Sequence, residues 1–556
     1  MTEPQPNTCK KRRLWRALLL SVPVLVGCFV FSVFGPNPRL RVSEETTHIV
    51  SPLGADGLPD YGKYILSRMP SDVPPDENAA VLYWEAKWPG ELATEDQRNA
   101  VCDALGMSVP MYAGIDDVFI NASSEMRIWI RRTYSEQLAV AADTETESSD
   151  ASSWARVDAI ANELCDKAIS TPWTSAEIPP LADWLRINRR KLDLLVSGSA
   201  RKSYFNPPPN MVDGSEDNFA ELQIPGVNIM RSASNALGMR AMLHLGEGRI
   251  DDAWIDLKAR HQMARHVSNG FCLVEALIAS ALERAASDGT QTLLHHGKLT
   301  ASQIRQIQSE LDALEDLESL AEVIGLGERF MFLECITNCS MGESRMANFR
   351  PIFGSHHPSE SGAEQTLDSV RIDWNEIARQ GNQWFDLLVE AHELPPTQRM
   401  AKLDQIHAKV HAIDEAVEVK NMLTIKSRTK IMANQAVLLL LPSIGAQKRY
   451  IRQNETSANM TRIVFSLAHH RAEHGIYPMS LDELVPSAIE KLPMDVYSDH
   501  PYRYKRTADG FCLYSVGEDG VDNGGTGNGV YKMEPTDEDI SDKDVVVWMP
   551  KTPLGN

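Results

Sequence analysis

Apolar positions recur at threes and fours over most of this chain, which predicts a mainly helical body. The pattern is strongest from Arg231 to about Leu314, through Ala241, Leu243, Leu245, Ala253, Leu257 and Ala264. Asn78 to Trp88 predicts the first helix of the folded body, and helices resume from Gln365 to about Arg449. Within them Ile431 to Leu441 is apolar, is ended by Pro442, and is too short to span a bilayer, so it predicts a buried core helix. Asp143 to Ser153, Pro207 to Pro209 and Arg350 to Glu364 predict loops. Beyond residue 450 the pattern changes. Glu455 to His474 is an amphipathic helix stopped by Gly475, and Ser480 to Val485 is a short helix. Pro501 to Arg506 and Gly510 to Val516 predict two strands joined at Ala508-Asp509-Gly510. A loop rich in Gly, Asp and Asn runs from Gly517 to Gly529, and Val545 to Trp548 is a last strand after an acidic run.

Near the N-terminus the periodicity gives way to a continuous apolar run from Ala17 to Phe34, preceded by Lys10, Lys11, Arg12, Arg13 and Arg16. Extended by Leu14 and Trp15, it predicts a single transmembrane helix over residues 14–34. The charge bias puts residues 1–13 in the cytosol and the bulk outside it, in a cell membrane. The alternative is a lipoprotein acylated at Cys28, because Leu25-Val26-Gly27-Cys28 resembles the bacterial lipobox. Residues 35–75, with Gly-Pro, Asn-Pro, Ser-Pro and Pro-Pro signals, form a linker. The expected division is therefore tail 1–13, anchor 14–34, linker 35–75, helical body 76–450 and an α+β domain over 451–556.

Charge and composition narrow the function. The 556 residues carry a formal net charge of −21, which excludes a nucleic-acid-binding body, since phosphates need a basic face. No small-molecule substrate is indicated by any motif. Of eight cysteines, Cys335 and Cys339 lie four apart on a predicted helix, a spacing that suits two core thiols better than a bridge. Leu245 to Ala253 resembles the turn of a tetratricopeptide-like hairpin, in one copy only, so an ordinary antiparallel helix pair is favoured.

The C-terminal motifs carry a resemblance. His474-Gly475-Ile476-Tyr477-Pro478, Leu481-Asp482-Glu483-Leu484-Val485-Pro486, Pro501-Tyr502-Arg503-Tyr504 and Leu513-Tyr514-Ser515-Val516-Gly517-Glu518-Asp519-Gly520 are similar to the globular part of the major pseudopilin of type II secretion. Bacterial membrane-anchored proteins of unknown role carry similar tails. The resemblance implies a pseudopilin-like α+β fold for 451–556. It does not imply a pilus subunit, because residues 35–450 separate anchor and module and the anchor has no prepilin cleavage signature. The family's loop commonly binds calcium, which implies Asp519 as one ligand and Asp544 or Asp539 as another. The residues agree in part: Asp519, Asp522 and Asn523 offer hard oxygen ligands close together, among glycines that turn carbonyls inward. Asp519, Asp522 and Asp544 are thus the expected metal residues and calcium the expected cofactor.

One other string carries chemistry. His470-Arg471-Ala472-Glu473-His474 spells H-x-x-E-H, a zinc-peptidase signature with both His on one helix face. His407 and His411 share that spacing on a charged face and are expected to be solvated. The reading is a non-enzymatic, membrane-anchored, outward-facing envelope protein with an interaction or scaffolding role and other envelope proteins as partners. The alternative is a metal-dependent hydrolase using His470, Glu473 and His474.

Overall fold

The structure, a computed structural model, describes residues 26–28, 30–87, 94–110, 124–135, 150–213, 224–341, 371–414, 424–498, 500–527 and 544–551. The chain divides into two units. The main unit holds residues 66–217, 222–319 and 445–556; the second holds 1–65, 218–221 and 320–444.

In chain order the principal helices are α1 Ala79–Ala86, α2 Glu95–Leu105, α3 Ser124–Thr133, α4 Asp150–Ser170, α5 Pro179–Ile187, α6 Arg189–Ser199, α7 Pro225–Gly246, α8 Ile250–Ser268, α9 Leu273–His296 and α10 Ala301–Asp312. The second unit contributes α11 Arg329–Ser340, α12 Trp374–Glu393, α13 Pro396–Asp414 and α14 Ile425–Leu440. The main unit resumes with α15, Ile444–His474, and ends in the strands β1 Arg503–Arg506, β2 Phe511–Ser515 and β3 Val545–Met549. The architecture is a largely helical body with a small C-terminal sheet.

Local chemistry starts these helices where the sequence allows. Asn78 caps α1 by accepting from the Ala80 amide, and it exchanges two further bonds with the Phe205 backbone, so the helix start is clamped while fully buried. Thr94 with Gln97, and Thr300 with Gln303, form capping boxes at α2 and α10. α4 begins at Asp150, inside the stretch expected to be a loop, because Val157, Ala161, Leu164 and Ala168 give it a buried stripe; residues 143–149 lie outside the described residues. α15 begins before the expected Glu455. The neighbouring Asn454 does not start a helix but meets α9, where its side-chain Oδ1 accepts from Ser280 and Arg284. The helix expected over 431–441 is part of α14, with Met432, Ala433, Ala436 and Val437 buried but Leu439 47% exposed, and Cys335 and Cys339 are buried free thiols on α11. The predicted loop over 350–364 lies outside the described residues.

The expectation of a transmembrane anchor is corrected. Among the described residues no helix is long and apolar enough to cross a membrane. Residues 14–25 and 29 of the expected span lie outside the described residues. Residues 26–28 and 30–34 are helical, and their end is bound to polar groups of the second unit. The Val33 carbonyl accepts from the Arg371 amide at 2.7 Å, the Ser32 carbonyl from the Arg428 guanidinium, and the Arg371 guanidinium lies 4.9 Å over the Phe31 ring. The single-pass location, the membrane-spanning segment as partner and the envelope role built on them are corrected with it.

α7, α8 and α9 pack as consecutive hairpins, joined at the first turn by Gly248, as the antiparallel-pair reading predicts. Their core holds charge. Arg240 on α7 makes two bonds to Asp256 on α8, at 2.9 and 2.6 Å. Arg260 is 0% exposed and threads between Gly238 and Gly289, where a Cβ would come within 3.0 Å and 3.4 Å of the guanidinium. Its Nε donates to Ser234 at 3.2 Å, but its two terminal nitrogens have no hydrogen-bond partner among the described residues. Burial pulls its pKa down to about 10, against the attraction of Asp288 and Asp256.

Those two acids already own other cations: Asp256 has Arg240, and Asp288 has Lys551. Removing Arg260 therefore leaves neither unpaired. Arg260→Met, of similar length, should leave urea stability unchanged or raise it by about 1 kcal/mol. A loss of about 3 kcal/mol or more would show that Arg260 holds the two acids in place.

Candidate functional site

The sequence-predicted site lies on the outer face of the C-terminal sheet. The order is β1-β2-β3, antiparallel throughout, with Arg503 opposite Tyr514, Lys505 opposite Cys512, and Cys512 opposite Trp548. Alternation sends Phe511 and Leu513 into the core under α15, and Cys512 and Tyr514 to the other face. That face is also covered, because residues 517–527 fold back across it. Gly525 is required there: it has a positive φ of 79°, and a Cβ would lie 2.8 Å from the Cys512 sulfur.

The three expected metal residues meet around one turn, and each is committed to donors. Asp544 is 2% exposed and takes the amides of Asn523 and Gly525 at 3.3 and 2.7 Å. Asp522 Oδ1 accepts from the Gly524 amide at 2.9 Å and the Tyr514 hydroxyl at 3.1 Å, while Oδ2 lies 3.5 Å from Arg503 Nε. The Gly524 amide, with Tyr514 and Arg503 behind it, holds the Asp522 carboxyl below the usual range. Asp519 accepts from the Val521 amide at 3.0 Å and the Asn523 side chain at 3.4 Å. Two loop carbonyls that a cation would need are also engaged: Gly524 O by Lys505 Nζ at 2.8 Å and Gly525 O by the Trp548 indole at 3.2 Å. In this arrangement each acid already accepts from N–H or O–H groups, and Asp522 also faces a guanidinium. Asp539 lies outside the described residues.

The H-x-x-E-H string is corrected as a hydrolase site. His470 Nδ1 donates to Ile476 O at 3.1 Å and His474 Nδ1 to His470 O at 3.0 Å, and the rings stack with centroids 4.2 Å apart. Glu473 turns to His469, 3.5 Å away, and so leaves the pair. Among the described residues no group of three or more His, Cys, Asp or Glu is placed to hold a metal. The His407 and His411 rings lie 5.0 Å apart.

Sequence reasoning missed a constellation that the fold assembles between α8 and α9. His261 lies between Glu283, 2.9 Å from Nδ1, and Thr290 Oγ1, 3.0 Å from Nε2. The order hydroxyl–imidazole–carboxylate is that of a nucleophilic triad. The Thr290 hydroxyl has one proton, and Ala286 O at 3.0 Å competes with His261 for it. His261 and Thr290 are both 0% exposed. Burial works to raise the Glu283 pKa, but His261 and Arg265 outweigh it and hold the carboxyl at about 2. The spacing His261, Glu283, Thr290 belongs to no sequence motif, and only the α8–α9 hairpin brings these residues together.

The comparisons add no relative. No family model, no curated protein and no solved structure matches this chain. The resemblance to the major pseudopilin rests on the quoted C-terminal residues alone.

Glu283 has its folded pKa depressed from 4.5 to about 2, so its contribution is complete above about pH 4.5 and is lost as pH falls toward 2. Urea titrations at stepped pH should show a loss on the order of 3 kcal/mol from this group over that interval. Glu283→Gln should be less stable at pH 7 and flatter below pH 4.5. An acid limb of unchanged steepness in the variant would assign the loss to other carboxylates.

Proposed function

We propose that this protein is a non-catalytic binding protein that takes an acidic, partly apolar segment of a partner on the surface formed by α3 and α4. The observation that carries the reading is a stacked pair. The Arg131 guanidinium lies 3.6 Å from the centroid of the Trp154 ring, and Trp154 is 41% exposed. Ile128, one turn before Arg131 on α3, is 51% exposed. Arg127 lies over the same ring at 5.8 Å and is tied to Asp158 at 2.8 Å, which fixes its position.

Tryptophan and arginine dominate binding hot spots because they combine large apolar area with few lost degrees of freedom. Stacking uses the flat face of a guanidinium and leaves its N–H edge as the part a carboxylate takes. Arg127, Arg131 and Arg132 form a basic spot on a chain of net charge −21, which favours an acidic partner at this place. The non-catalytic part of the reading is supported by the burial of the triad-like string, whose histidine and hydroxyl are both 0% exposed.

A photo-cross-linking residue placed at Ile128, compared with one at Ile187, tests the reading, since Ile187 is 73% exposed and remote in sequence. Position 128 should cross-link a partner through an acidic segment, and Arg131→Glu should abolish that product while melting within about 0.5 kcal/mol of wild type. Equal cross-linking at 128 and 187, or a product insensitive to Arg131→Glu, would overturn it.

A further inference from the structure

We infer that the turn at residues 519–525 is held by two cations of the chain itself, Lys505 and Arg503, which do for this loop what a bound metal ion would do. Both project from the same face of β1, two residues apart, toward the face of the sheet that the loop covers. Lys505 Nζ donates to Gly524 O at 2.8 Å and lies 5.3 Å over the Tyr514 ring. Arg503 Nε approaches Asp522 Oδ2 at 3.5 Å. A divalent cation in such a turn would neutralise carboxylates and draw carbonyl oxygens together. The ammonium performs the second task at Gly524 and the guanidinium the first at Asp522.

The remaining acid is neutralised differently. Asp544 sits beneath the turn, and the amides of Asn523 and Gly525 converge on its carboxylate. Two amides of one turn, two residues apart and aimed at one anion, resemble the backbone arrangement that elsewhere receives a phosphate or carboxylate ligand. Here the anion comes from the residue that leads into β3. The loop therefore has an internal anion below it and internal cations at its rim. Its order follows from folding of the sheet, and the loop stays closed over Cys512 and Tyr514 at any calcium concentration.

Amide hydrogen exchange of the full-length chain tests this directly, read at Asn523 and Gly525. Protection should be the same in millimolar calcium and in chelator. Lys505→Met keeps the apolar stem over Tyr514 but removes the ammonium, and should speed exchange at these amides about tenfold or more. Lys505→Arg should keep most of the protection, while amides of α9 report that each variant is folded. Protection that disappears in chelator would overturn the inference and return the site to calcium. Unchanged exchange in Lys505→Met, or equal loss in Lys505→Arg, would also overturn it.

Discussion

A three-stranded sheet has two apolar faces and cannot hide either by itself, and the C-terminal half of the main unit is organised by that constraint. β2 is buried at every residue, with Phe511 and Leu513 on one face and Cys512 and Tyr514 on the other. α15 covers the first face. The loop at 517–527 covers the second. α15 is in turn joined to α9, through Gln291 donating to Thr461 and Arg471 donating to the carbonyl of His295. Sheet, long helix and the α7–α9 hairpins consequently share one core.

The join between α9 and the module is made of groups that elsewhere do chemistry. His295 stacks on Tyr477 at 6.0 Å with planes 7° apart, and its Nδ1 lies 2.9 Å from the Tyr477 hydroxyl. Burial, with His296 and Arg471 nearby, pulls its pKa down to about 4, so it is neutral in the folded chain at pH 7. Arg240 with Asp256, and Arg265 with Glu283, likewise sit inside helix pairs. Such groups fix which helix faces meet, because any other register would leave a buried charge without its partner. The same logic explains why a triad-like string lies buried at His261: its hydrogen bonds satisfy one another and the backbone.

How much of this was legible follows from the range of each interaction. Period-driven features were readable. The hairpin closing near Gly248, the helix before Pro442, the stop at Gly475 and all three strands follow from local pattern and turn chemistry. Helix starts were less readable where the polar residues were partners and not solvent-facing. The helix reads as beginning at Glu455 only because α9, whose Ser280 and Arg284 meet the neighbouring Asn454, is 170 residues or more away in sequence. Composition near the N-terminus favoured a span, and nothing local indicated that Ser32 and Val33 would meet Arg428 and Arg371. The buried pairs of α7–α9 look like an ordinary charged helix face until the partner helix is known.

The acidic turn shows the limit most clearly. A carboxylate in a glycine-rich loop can ligate a metal or accept backbone amides, and the local residues are the same for both uses. What separates them is the sign of the groups on the surface beneath. Here that surface is the outer face of β1 and β2. Tyr504 alternates with Arg503 and Lys505, so once Tyr504 is placed toward the core, both cations must point outward on the side where Tyr514 lies. That signal is present in the sequence as a period of two across Arg503-Tyr504-Lys505. It acquires meaning only when the loop is known to fold back over the same face. An acidic loop closing over a basic face finds opposite charge within its own chain.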